Sequence, residues 1–81
     1  MQRYSVLLTS DDGMYMVTVP VLPGITTLGA TVEEALANAR EAISLHVQCL
    51  AEDGEEIPLE DEPPQLVTVT VELPAARTQS A

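Results

Sequence analysis

The chain has 81 residues, 46% of them hydrophobic, and a net charge of −10 from 13 acids against 3 bases. That length allows one small domain burying roughly 60–65% of the surface its unfolded form exposes, and the apolar fraction excludes an intrinsically disordered chain. The acidity argues against direct nucleic-acid binding, which depends on Lys and Arg neutralising phosphates, and favours a basic protein partner drawn in by the opposite field.

No run approaches the ~20 apolar residues of a membrane span. Met1-Gln2-Arg3 leads straight into an alternating segment without the pattern of a signal peptide, so the expected location is the cytoplasm, with no membrane contact. Phe and Trp are absent, and the core must therefore be built from Val, Leu, Ile, Ala and Met.

Residues 3–9 alternate, with Tyr4, Val6 and Leu8 on one face, the period of a half-buried strand. Asp12-Gly13 then predicts a tight hairpin. The return strand spans 14–19, with Tyr15, Val17 and Val19 on the core face, and Pro20 closes it because it lacks a ladder donor. Val21-Leu22-Pro23-Gly24 turns the chain, and 25–29 forms a short third strand. Thr31 caps a helix, and Glu34, three residues on, is placed to bond back to the Thr31 N–H. Glu33 and Glu34 suit the positive end of the helix dipole. Val32, Leu36, Ala39, Ile43, Val47 and Leu50 make one apolar stripe, Ala35, Ala39 and Ala42 keep part of that face slim, and Gly54 ends the helix as a left-handed C′ residue.

An acidic, proline-rich connection over 55–65 leads to Leu66–Leu73, whose Val67, Val69, Val71 and Leu73 alternate cleanly towards a core. Residues 74–81 read as a flexible tail after a single domain over 1–73. The fold class is α+β, in the order ββ-β-α-β, with one long helix on one face of a four-stranded, mostly antiparallel sheet. A helix between strands suggests a crossover, with the last strand parallel to a neighbour. The face opposite the helix carries Leu7, Met14 and Met16, which an oligomer would bury. The last strand, lying at an edge without Lys or Pro, could pair with another chain.

No reactive constellation is present. Asp11-Asp12 is accounted for by turn chemistry rather than by a metal. The acids Glu52, Asp53, Glu55, Glu56, Glu60, Asp61 and Glu62 are seven of the thirteen, but lack the ligand spacing of a calcium loop. Cys49 reads as a small, buried or half-buried hydrophobe on the helix, and His46 as a residue at the stripe's boundary, with no nucleophile to serve. Arg3, Arg40 and Arg77 are scattered in sequence. The expectation is a protein that is not an enzyme and needs no metal or other cofactor.

Several motifs in order carry a resemblance: Asp12-Gly13-x-Tyr15, Val19-Pro20-x-Leu22-Pro23-Gly24, Thr27-x-Gly29-x-Thr31-x-Glu33-Glu34-Ala35, and Asp53-Gly54-Glu55-x-Ile57-Pro58. Together they resemble the N-terminal domain of the HicB antitoxin family, over about Tyr4 to Pro58. The chain departs from the family at Val21, where members often carry Asp, at Ile25, where they often carry Cys, and near Glu60, where a further proline is usual. The resemblance implies a partial ribonuclease H-like fold with sheet order 3-2-1-4, the last strand parallel to the first. It also implies a partner, a small basic HicA-like RNA-cleaving toxin whose active surface is masked. Asp11, Asp12, Glu52, Asp53, Glu55, Glu56, Glu60, Asp61 and Glu62 are the candidate partner-binding residues. The family's usual DNA-binding segment has no counterpart in residues 74–81, so operator binding is not expected. The alternative is an orphan, stand-alone domain with a structural or small-ligand-binding role. Either would be a homo-oligomer, a dimer or a tetramer.

Overall fold

The structure, a computed structural model, describes residues 1–75; Arg77 and most of the expected tail lie outside the described residues. Strands β1 (Leu7–Asp11) and β2 (Met14–Thr18) form an antiparallel hairpin, β3 (Thr26–Gly29) adds antiparallel to β2, and α1 (Val32–Glu52) packs on β3 and β2. The hairpin loop is Asp12-Gly13, with φ of 52° and 81°, the left-handed pair whose twist matches that of the flanking strands.

Strand β1 begins at Leu7, later than the expected Arg3. The register pairs Leu7 with Thr18, so the next pairs outward would be Val6 with Val19 and Ser5 with Pro20, and proline has no N–H to donate. Val19 and Leu22 close a turn at 3.1 Å, and Leu22 and Ile25 close another at 3.3 Å around Pro23-Gly24. Gly24 takes φ 99° there, as the third position of a type II turn requires. Leu22, held between these two turns, is buried, as is Val19.

Helix α1 starts as its sequence predicts: the Glu34 N–H donates to Thr31 Oγ1 at 3.1 Å. The Glu34 carboxylate, however, accepts from the Ala30 N–H at 3.1 Å, one residue before the expected Thr31 N–H. The helix ends with Gly54 at φ 68°. The Gly54 N–H donates to the Ala51 carbonyl at 3.1 Å and the Glu55 N–H to the Leu50 carbonyl at 2.9 Å, the paired bonds of a Schellman cap.

Only the first half of the helix is held tightly. Ala35 and Ala39 are its buried residues, while Leu36, expected in the stripe, is 39% exposed and Leu45 is more so. The small alanines let the backbone approach β3, where the Thr27 hydroxyl donates to the Ala35 carbonyl at 3.3 Å and the Asn38 amide donates to the Leu28 carbonyl at 2.8 Å. At 21 residues the helix is about 31 Å long, nearly twice the ~17 Å of a five-residue strand, so its second half overhangs the sheet.

The expected four-stranded order, with residues 66–73 parallel to β1, is not what the described residues show. They form a three-stranded sheet in the order β1-β2-β3, and the outer edge of β1 is open. Residues 66–73 carry no strand pairing, and Leu66 and Val69 are 85% and 84% exposed. The reason lies in the connection. The Tyr4 hydroxyl donates to the Pro58 carbonyl at 2.6 Å, and Glu60 accepts from the Ser5 N–H at 2.9 Å and the Ser5 hydroxyl at 2.7 Å. Residues 58–60 are thereby clamped beside residues 4–5, and the chain beyond Pro63-Pro64 leaves as an arm. The radius of gyration is 16.3 Å, against about 12 Å for a compact chain of this length.

Candidate partner-binding surface

The nine candidate acids do not share one place. Asp11 ends β1 and Asp12 occupies the hairpin turn, both exposed. Glu60 sits beside Ser5 at the opposite end of the β1 segment, roughly 20 Å away at ~3.3 Å per residue. Glu60 is half-buried and bonded to Ser5, so its carboxylate anchors the connection. Glu52, Asp53, Glu55 and Glu56 cluster around the helix C-terminus, and Asp61 and Glu62 follow the clamp; all six are exposed.

The helix C-terminal group has an electrostatic peculiarity. The last turn of α1 contains no basic residue, although the negative end of the helix dipole favours cations there. Acids at this end raise the local energy of the free domain, and the concentration of negative potential suits a cationic partner.

Among the described residues, no three of His, Cys, Asp and Glu come together to hold a metal ion. The expectation of a buried or half-buried Cys49 is corrected: on the overhanging part of α1 its thiol is exposed, and His46 is exposed with it. No helix among the described residues is long and apolar enough to cross a membrane.

Two features escaped the sequence reading. A groove of about 570 Å³ runs between residues 1–6 and α1, walled by Val6, Leu36, Ile43 and Val47 and including Arg3 and Arg40. Two arginines scattered in sequence thus meet at one groove, because Arg40 lies on the α1 flank facing the N-terminal segment. The sheet face away from α1 exposes Leu7, Met14 and Leu28, and the register adds Leu28, opposite Met16, to the apolar patch expected there.

A family model described as the HicB-like antitoxin of bacterial toxin–antitoxin systems matches residues 4–73. The chain belongs to the HicB-like antitoxin family. Its similarity extends to a UPF0150 protein of Thermoplasma acidophilum, 47% identical over 69% of this chain and 83% of the relative. A UPF0150 protein of Synechocystis is 41% identical over 73% of this chain and 76% of its own length. An uncharacterised 14.9 kDa protein of Haemophilus phage HP1 is 50% identical over 59% of this chain, but the match spans only 35% of the phage protein.

Among solved structures, the N-terminal domain of the Burkholderia pseudomallei antitoxin HicB superposes with a TM-score of 0.62 at 44% identity. That match covers 67% of this chain and 65% of the crystallised one. The HicB-like family match runs through residues 66–73, so the exposed arm lies within the family domain.

Proposed function

We propose that this HicB-like chain is an antitoxin-type protein-binding module. It neutralises a small basic HicA-like RNA-cleaving toxin by covering the toxin's active surface, acts in the cytoplasm as a homo-oligomer, and performs no chemistry of its own. Family membership over residues 4–73 carries the reading. The net charge of −10 supports it, because an acidic cover competes for the field that a ribonuclease turns towards RNA. The acids at the end of α1 favour that region as the contact, with Asp61 and Glu62 beyond it and Asp11 and Asp12 at the far hairpin as secondary contributors.

The test mixes the purified chain with a small basic HicA-like ribonuclease from the same genome and follows RNA cleavage. Stoichiometric loss of cleavage is expected. Undiminished cleavage at a severalfold excess of this chain would overturn the proposal, and RNA cleavage by this chain alone with magnesium would overturn its non-enzymatic part.

A further inference from the structure

We propose that two copies of this chain exchange arms: residues 66–73 of each copy add as a strand to the open β1 edge of the other. Val67, Val69, Val71 and Leu73 then cover the groove beside α1. This specifies how the homo-oligomer above is built and does not depend on the toxin.

The arm is encoded as a half-buried strand and yet buries nothing. All of residues 66–73 are exposed, with Val67 at 72% and Val71 at 70%. A row of alternating aliphatic residues in water is unfavourable at about 25 cal/mol for each Å² of apolar surface left uncovered. The same chain carries the matching vacancy. Strand β1 pairs with β2 on one side only, and ladder bonds alternate from the tight turn at Asp11 and Met14. The N–H and C=O groups of Leu8 and Ser10 therefore face the open edge. The apolar wall of Val6, Leu36, Ile43 and Val47 begins at the residue that leads into that edge, Val6. The arm of each chain and the β1 edge of each chain close in a two-fold exchange that leaves no arm over, the arrangement of a domain swap, while the β3 edge stays at the outside of the sheet.

The connection disfavours filling that vacancy with the chain's own arm. The bonds from Tyr4 to Pro58 and from Ser5 to Glu60 run in the same direction along both segments. Continued alongside β1 in that register, Leu66 would come level with Asp11, the last residue of β1, and residues 67–73 would pass beyond the sheet. Bringing the arm back into register needs two reversals within residues 61–65, where Pro63 and Pro64 restrict the backbone to extended conformations. The same prolines project the arm outward. Finally, the buried hydrophobic core among the described residues is Val17, Val19, Leu22, Ala35 and Ala39, small enough that association is a natural source of further stability.

The test uses the full chain without a toxin, so its outcome is separable from that of the neutralisation assay. Sedimentation velocity and native mass spectrometry should show a dimer or an even multiple of one. Val69→Pro removes a ladder donor from the arm, and Ser10→Pro removes one from the open edge without touching the bonds to β2. Each variant alone should lose the dimer while keeping its helical circular dichroism, because Val69 pairs with nothing within the single chain and Ser10, although it lies opposite Tyr15, turns its N–H away from β2. Mixed together, the two should recover a heterodimer, one good arm on one good edge. A monomeric wild-type chain, a Val69→Pro variant that stays dimeric through the Leu7, Met14 and Leu28 face, or a mixture that stays monomeric would each overturn the proposal.

Discussion

Gly29 lies where β3 passes beneath the first turns of α1, and a methyl group there would come within 2.7 Å of the Ala35 Cα. Backbone atoms on both sides cannot swing away as a flexible side chain could. Gly29→Ala is therefore expected to cost about 1–3 kcal/mol, as overpacking does, read as a lower urea midpoint at unchanged slope. Gly54 contrasts with it. Nothing lies within 4 Å of a Cβ placed there, so Gly54→Ala meets only the conformational cost of φ 68°, about 1–2 kcal/mol. Asn, which tolerates that region, should recover much of the loss at position 54 and none at position 29. Glu60 makes a different point at this scale. Its carboxylate accepts two bonds from Ser5, so Glu60→Ala should lower stability by on the order of 1 kcal/mol in the absence of any partner, unlike Asp61→Ala beside it.

At the scale of elements, the acids closing α1 set stability against recognition if they form the proposed contact. Glu52→Gln together with Asp53→Asn removes two negative charges from the negative end of the helix dipole. The pair should raise the thermal midpoint of the free chain, each change contributing about 0.3–1 kcal/mol. It should also weaken binding to the basic partner, measured by calorimetry; a variant that gains stability with undiminished affinity would move the contact elsewhere. The helix itself was legible because its signals are local: Thr31, Glu34 and Gly54 act within a few residues of where they stand. The hairpin was legible for the same reason, since Asp12-Gly13 dictates both turn and register. The fate of residues 66–73 was not. Alternation shows that Val67, Val69, Val71 and Leu73 are made to face a core, but not whose core. That depends on a bond between Ser5 and Glu60, 55 residues apart, which no local pattern announces. Ala39 in the stripe and the slim Ala35 beside it were legible too, but the exposure of Leu36 was hidden, because the close approach required by Gly29 selects the slimmest face rather than the most apolar one.

For the whole molecule, the charge of −10 acts in opposite directions on two kinds of association. Two copies exchanging arms bring like charges together, while a basic toxin brings unlike charges together. Salt screens both over a Debye length of about 10 Å at 0.1 M and about 3 Å at 1 M. The arm exchange itself rests on aliphatic side chains and backbone ladder bonds, which salt does not weaken in this way. Raising ionic strength from 0.05 to ~0.5 M should therefore tighten self-association and loosen toxin binding, the latter mainly through a slower association rate. The two dependences can be read on one protein preparation, by sedimentation for the first and stopped-flow fluorescence of a labelled toxin for the second. If both associations weakened together, the acidic surface would have to lie across the contact between copies in favourable pairs. The arginines of the groove, Arg3 and Arg40, would then be the groups to neutralise next, and Arg40→Gln would separate a charge-held dimer from one held by the exchanged strand.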